Sequence, residues 1–189
     1  MGGMGKILRG LLSGRALQKT ALGGMRKIPG CLYSMSMVYL ITFSCYGSRV
    51  PGDEDTVSRK NNLVGARREL PCISLANAAR ATMSHPTEEL TFEERQTVLQ
   101  AMVDVCHYRV WTLMAAHVRT THVHVVVAAE TTPERIMHSL KSYSSRALGC
   151  RGRWARHGST AYLWTRDEIA NAVHYVVSKQ GEAMALFYL

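Results

Sequence analysis

The sequence predicts an α+β fold, a ferredoxin-like split β-α-β sandwich with one antiparallel sheet and helices on one of its faces. Residues 37–46 are rich in β-branched and aromatic residues and end at a glycine, which is typical of a strand. A capping box at residues 91–94 opens an amphipathic helix. Two further apolar strands, residues 111–118 and 122–129, are separated by a hairpin, and another helix begins at Pro133. The order strand, helix, strand, strand, helix predicts this fold class.

The chain divides into a basic extension and one domain. Residues 1–34 carry six Lys or Arg and no acidic residue, and we expect them to be disordered or to precede the natural start. Residues 35–189 contain the patterned domain. Within it, residues 47–75 are broken by Gly, Pro and Asn, which predicts a long loop insertion.

Composition indicates a nucleic-acid partner. The 189 residues include 23 Lys and Arg against 14 Asp and Glu, a formal net charge of +9. Most of these cations are arginines, whose guanidinium groups bind phosphate oxygens in a two-pronged fork. No apolar run approaches the roughly 18 residues of a membrane span. Five scattered cysteines without a Cys-x-x-Cys pair indicate reduced thiols, so we expect a cytoplasmic protein that does not contact a membrane.

The functional prediction depends on His122 and His124. Alternate side chains of a strand share a face, so both imidazoles point one way while the neighbouring valines point the other. Two neutral imidazoles hold a divalent metal when a third group reaches it. Alone, the His-x-His triplet is equally consistent with two half-exposed histidines on an ordinary strand.

Basic residues cluster in segments that suit contacts with a phosphate backbone. The helix beginning at Pro133 carries cations among serines, and residues 150–160 interleave arginines with a tryptophan, a combination that single-stranded nucleic acid binds. A solvated basic surface has the same appearance. From these segments and the hairpin we predict seven DNA-binding residues: Arg119, Lys141, Arg146, Arg151, Arg153, Trp154 and Arg156.

Several motifs accompany the two histidines. They are TFSCYG at residues 42–47, LKSYSSR at residues 140–146, the stretch from Trp154 to Trp164, and Tyr175-Val176-x-x-x-Gln180. Together with His, bulky hydrophobe, His at residues 122–124, these motifs make the chain resemble the single-tyrosine HUH transposases. That family of small insertion-sequence transposases includes the REP-associated tyrosine transposases.

The resemblance implies a fold, a chemistry and partners. It implies a ferredoxin-like domain, usually a homodimer, that recognises hairpins in single-stranded DNA within a bacterial cytoplasm, associated with the nucleoid. Mg or Mn, held by the two histidines and a third polar residue, assists a tyrosine hydroxyl that attacks the scissile phosphate and leaves a 5′-phosphotyrosine and a free 3′-OH. The expected function is DNA transposition by cleavage and rejoining. The alternative is an inactive or domesticated relative that only binds single-stranded hairpin DNA.

The same resemblance puts the nucleophile near the start of the last helix, which indicates Tyr162. A different register puts Glu168 at that position and implies an inactive protein. Tyr175 lies on the apolar face of the helix predicted over residues 167–179, so we expect it in the core. For the third metal ligand we select Asp167; the alternatives are His157 and Glu168, although Glu168 is also suited to capping the helix.

Overall fold

Five strands and four helices make up the part of the chain that the computed structural model describes, residues 36–54 and 70–189. The extension predicted for residues 1–34 lies outside the described residues, and the loop predicted for residues 47–75 is described only at its two ends. The elements are β1 (Met37–Cys45), α1 (Ile73–Ala81), α2 (Phe92–Tyr108), β2 (Thr112–Val118), β3 (His122–Ala129), α3 (Pro133–Ala147), β4 (Trp154–Leu163), α4 (Arg166–Ser178) and β5 (Ala185–Tyr188).

The strands form one antiparallel sheet in the order β4, β1, β3, β2, β5. The first four strands, with α2 and α3, make the predicted split β-α-β sandwich, so the predicted fold class is confirmed. Two strands are additions to the prediction. Much of the segment at residues 150–160, which the sequence pattern marked only as basic, lies in the edge strand β4, and β5 pairs beside β2 at the other edge.

The two faces of the sheet carry different helices. Val123, Val125 and Val127 on β3 are fully buried in a cluster with α2 and α3. On the opposite face, Val126 and Ala128 belong to a second cluster with α4. The sequence pattern predicted helices on one face only, and α4 is the helix that covers the other.

Local capping fixes where the helices begin. Thr91 with Glu94, and Thr165 with Glu168, form complete capping boxes at α2 and α4, in which each side chain bonds the other residue's backbone N–H. Thr132 accepts a hydrogen bond from a backbone N–H of α3, whose first residue is proline. Within the described ranges, no helix is both long and apolar enough to cross a membrane.

Candidate active site

The two histidines lie on the central strand β3, on the face covered by α4. Strand register pairs His122 with Ser44 and His124 with Thr42, both on β1. The imidazole rings are 4.9 Å apart between centroids and nearly perpendicular. His124 is only 6% exposed, whereas His122 is partly exposed. The structure therefore brings two imidazoles together on one face, as the alternation of the strand predicted.

Hydroxyl groups hold both rings in place. The Nδ1 atom of His124 is 2.8 Å from the Thr42 hydroxyl, and Nδ1 of His122 is 3.1 Å from the Thr121 hydroxyl. Burial lowers the pKa of each histidine to about 4. Both rings are therefore neutral at pH 7, and in each the Nε2 lone pair is available when Nδ1–H donates to the hydroxyl.

Tyr175 and Gln180 lie beside the histidines. The Tyr175 ring on α4 is 5.5 Å from the His124 ring between centroids, and 42% of the Tyr175 side chain is exposed. The expectation that Tyr175 is a core residue is therefore wrong. Gln180 donates from Nε2 to the Tyr175 carbonyl at 3.3 Å, and the Gln180 side chain also hydrogen-bonds the His122 side chain.

Two arginines add positive charge to this site. Besides burial, which is the main cause, the charges of Arg49 and Arg119 lower the pKa of His122 and His124. The Arg119 guanidinium donates to the Glu182 carbonyl at 3.0 Å, which fixes the β2–β3 turn against the segment after α4. Arg49 is exposed in the turn that follows β1. Cations around two neutral imidazoles favour binding of an anionic group such as a phosphate.

This donor set fits a divalent cation. His122 and His124 offer imidazole nitrogens and Gln180 an amide oxygen, and the Thr42 hydroxyl orients one imidazole from behind, as the outer partners of metal-bound histidines do. Imidazole nitrogens are donors that divalent transition metals accept, and an amide oxygen is a donor that Mg²⁺ and Mn²⁺ accept. Gln180 is a possible donor that the sequence prediction did not include.

Tyr162, the predicted nucleophile, lies elsewhere. Tyr162 pairs with Tyr39 on β1, whereas His124 pairs with Thr42 on the same strand. Tyr39 and Thr42 are three residues apart, so their side chains lie on opposite faces of the sheet. Its side chain is on the α3 face, where its ring contacts the Tyr39 ring at 5.1 Å between centroids. Because successive strand residues face opposite ways, the sheet separates Tyr162 from the imidazoles. This placement corrects the expectation that Tyr162 lies beside the histidines.

Asp167, the predicted third ligand, is also separate from the pair. Among the described residues, no group of three or more His, Cys, Asp or Glu side chains could hold a metal ion. Asp167 is in the first turn of α4, eight residues before Tyr175, which corresponds to about 12 Å along a helix. Glu168 accepts from the backbone N–H groups of Trp164 and Thr165 and is committed to capping. The structure therefore contradicts Asp167 as a ligand within one chain.

A basic groove lies on the other face of the sheet. Its volume is about 560 Å³, between α3 and the segment that enters β4. Arg146 and Arg151 are exposed at this groove, and Arg156 is exposed on β4. The residues that line the groove include His138, Lys141, Ser142, Ser145, Arg146, Arg151 and Trp154.

Lys141, Arg153 and Trp154 are among the predicted DNA-binding side chains that have partners within the protein. Arg153 donates to the carboxylates of Glu88 and Glu94, at 2.6 Å each, and joins β4 to the start of α2. Lys141 donates to backbone carbonyls of β4, and burial lowers its pKa to about 8. Trp154 packs edge-on against a core phenylalanine at 5.0 Å between centroids. These contacts are structural, and a role of Lys141, Arg153 and Trp154 in DNA binding stays a prediction.

Comparison with known protein families identifies the chain. The model of the IS200-like transposase family matches residues 86–180, half of the chain. The chain belongs to this family. The match runs from the residues before α2 to Gln180, so it contains both histidines and Tyr175 of this transposase. Membership indicates DNA as its partner, and the predicted family is confirmed.

One solved structure is similar to this IS200-like transposase. It is that of a REP-associated tyrosine transposase bound to a REP hairpin, with a TM-score of 0.47 and 12% sequence identity, over 84% of this chain and 72% of that chain. Among curated proteins, none matches the sequence.

Proposed function

We propose that this IS200-like transposase cleaves and rejoins single-stranded DNA with Tyr175 as its nucleophile. The observation that carries the proposal is the contact between the Tyr175 and His124 rings, 5.5 Å between centroids, on a side chain that is 42% exposed. An exposed phenol beside neutral imidazoles and nearby arginines is an arrangement that can attack a phosphodiester. Tyr162 has comparable exposure but lies on the opposite face of the sheet.

The reaction transfers a phosphoryl group to the phenol. The Tyr175 oxygen forms a bond to phosphorus while the bond from phosphorus to the 3′ oxygen breaks. The phenol loses its proton and the 3′ oxygen gains one, which leaves a 5′-phosphotyrosine and a free 3′-OH. Because a free phenol has a pKa of about 10, it is a weak nucleophile at neutral pH and requires activation.

Three side chains of this protein would hold the activating ion. His122 and His124 would contribute imidazole nitrogens and Gln180 its amide oxygen, while Thr42 and Thr121 keep the rings oriented. Mg or Mn bound there would polarise the phosphate and disperse the developing charge. The guanidinium of Arg119 is held by the Glu182 carbonyl, and its positive charge favours entry of the phosphate.

The groove on the α3 face supports binding of the rest of the DNA. The sheet separates the exposed cations of this groove from the imidazoles. A DNA strand that contacts both the cations and the imidazoles must therefore pass around an edge of the sheet. β4 is the edge strand on the side of the groove. We propose that Arg146, Arg151 and Arg156 contact phosphates there, in a hairpin or its flanking strand.

Covalent trapping tests the nucleophile. We expect wild-type protein with Mn and single-stranded hairpin oligonucleotides to give a protein–DNA adduct on a denaturing gel. The Tyr175→Phe variant lacks the attacking oxygen and forms none. Tyr162→Phe keeps its ring and still forms the adduct. Tyr108→Phe, an exposed tyrosine at the end of α2, is the matched control and behaves as wild type.

Two other outcomes have definite meanings. An adduct that disappears in Tyr162→Phe but persists in Tyr175→Phe would return the nucleophile to Tyr162 and overturn this proposal. Salt-sensitive binding of single-stranded hairpin DNA without any adduct, with Mg or with Mn, would favour the alternative of a relative that binds but does not cleave.

We also propose that the protein acts as a homodimer. The support is the resemblance to the family, whose members are usually dimeric. Light scattering coupled to gel filtration measures the molar mass directly, and a value near the 21.0 kDa of one chain would contradict this part of the proposal.

A further inference from the structure

Three aromatic rings form a row at the end of β4, across the sheet from the imidazoles. The Tyr39 and Tyr162 rings meet edge to face at 5.1 Å between centroids. Tyr162 and Trp164 are stacked, with centroids 5.5 Å apart and planes 11° apart. The row ends at Trp164, which is 69% exposed, next to Tyr162 at 45%. Two large aromatic side chains at the edge of the sheet therefore present much of their ring surface to solvent.

An open cleft of about 530 Å³ adjoins this row. Tyr39 and Tyr162 line it together with Met37 on β1 and with Glu130, Thr131 and Thr132 from the segment between β3 and α3. The Tyr39 hydroxyl donates to the Thr131 carbonyl at 2.9 Å, which fixes one wall of the cleft. Glu130 is exposed there and supplies a carboxylate acceptor.

We propose that Tyr162, Trp164 and the adjoining cleft bind an unpaired nucleobase of the DNA strand outside the cleavage site. This inference rests on the proposed function, because that function supplies single-stranded DNA as the ligand. Exposed aromatic rings are platforms on which unpaired bases stack, and stacking on such a platform tolerates any base. The net charge of +9 favours the polyanionic strand that carries the base.

The carboxylate adds a preference among bases. An ionised carboxylate only accepts hydrogen bonds, so Glu130 favours a base that presents an exocyclic amino group over one that presents a carbonyl. Cytosine offers the N4 amino group where thymine offers the O4 acceptor. The two pyrimidines are of similar size, so this site is expected to bind oligo(dC) more tightly than oligo(dT).

Fluorescence anisotropy with labelled single-stranded oligonucleotides tests the site. Trp164→Ala is expected to weaken binding of oligo(dC) about tenfold, the loss expected when one base no longer stacks. Tyr108→Ala removes an aromatic ring that is 70% exposed on α2 and is the matched control, with affinity unchanged. Glu130→Gln is expected to reduce the preference for oligo(dC) over oligo(dT) while oligo(dT) affinity is retained.

The results separate this inference from the proposed function. If wild type forms the Tyr175 adduct and binds oligonucleotides but Trp164→Ala binds them equally well, the base site is overturned and the cleavage proposal stands. A Trp164→Ala variant that loses only thermal stability also overturns the base site, since the ring then merely packs against the start of α4. If wild type neither binds single-stranded DNA nor forms an adduct, both are overturned.

Discussion

Tyr175 is where sequence reasoning and structure differ most at the scale of a single residue. Helical spacing groups Tyr175 with Ala172 and Val176, both of which are buried. Tyr175 nevertheless lies at the rim of that apolar face, where its ring reaches the His124 imidazole. A helical pattern shows which way a side chain points. It does not show how far the sheet surface opposite the helix extends, so the pattern could not distinguish a core residue from one at the rim of a site.

Val110 carries unusual backbone strain. Among the described residues it is the only non-glycine residue with a positive φ, at 57°. It follows the end of α2, where Trp111 N–H donates to the Cys106 carbonyl and Val110 N–H to the His107 carbonyl, the two bonds of a Schellman motif. This position favours glycine, and the Val110 side chain is 91% exposed, so it contributes little burial in return.

Val110→Gly is therefore expected to stabilise the protein. Relief of the left-handed strain outweighs the added entropy of the unfolded chain, for a net gain of about 1 kcal/mol in the free energy of unfolding, measured with urea at pH 7. Val110→Ala is the control, because alanine removes the side chain but keeps the strain, so little gain is expected. A glycine variant no more stable than the alanine variant would contradict this account.

The edge strand β4 is the element that the sequence pattern did not reveal. Its residues are mostly exposed on both faces, so the alternation of apolar and polar residues that marks a half-buried strand is absent. Pairing with β1 over most of its length makes it a strand. The arginines near its start therefore form one basic segment in the sequence pattern, although the structure bonds Arg153 within the protein and leaves Arg151 exposed.

Arg151 and Arg153 provide a matched pair for testing those roles. Arg153→Ala leaves the carboxylates of Glu88 and Glu94 without their guanidinium partner, and we expect a loss of about 2 kcal/mol in the free energy of unfolding. Arg151 is exposed at the groove, so Arg151→Ala should leave stability unchanged. It should instead weaken binding of single-stranded DNA. The plot of log affinity against log salt concentration should become shallower, its slope smaller in magnitude by about 0.7.

Urea unfolding and a salt titration of DNA binding measure the two effects independently. If Arg151→Ala destabilised the fold as much as Arg153→Ala, or if Arg153→Ala changed only the salt slope, the division between structural and DNA-binding arginines would be wrong.

At the scale of the whole molecule, the sheet separates the imidazole pair from the basic groove. The imidazoles, Tyr175 and Gln180 are on the face of α4, while the basic groove is on the face of α3. His117 helps to fix the first face, because its fully buried ring bonds the Val176 carbonyl through Nδ1 and accepts from the Met184 N–H through Nε2. This histidine joins β2 to α4 and to the segment before β5.

The buried histidines predict loss of stability in mild acid. Burial lowers the pKa of His117, and it lowers those of His122 and His124 to about 4. The unfolded chain, with histidine pKa values of about 6.5, therefore binds more protons than the folded chain between pH 4 and 6.5. Stability rises with pH across this window and is lost as the pH falls below about 6.5.

Thermal unfolding of metal-free protein at pH 7.0 and pH 5.0 measures this effect. Between pH 7.0 and pH 5.0, the melting temperature of the double variant His122→Gln, His124→Gln is expected to fall by less than that of wild type. Equal losses in the two proteins would mean that groups other than this pair cause the acid sensitivity.

Features that depend on local geometry follow from the sequence alone. Strand alternation puts His122 and His124 on one face, and the Thr-x-x-Glu boxes fix the starts of α2 and α4, because each of these depends on residues within a few positions. Which tyrosine and which third ligand lie near the imidazoles depends instead on tertiary packing. The crossing of α4 over the sheet brings Tyr175 and Gln180 to a strand some fifty residues earlier and leaves Tyr162 on the opposite face. The same packing decides that Arg153 forms ion pairs within the protein, since Glu88 and Glu94 reach it only after α2 and β4 have come together.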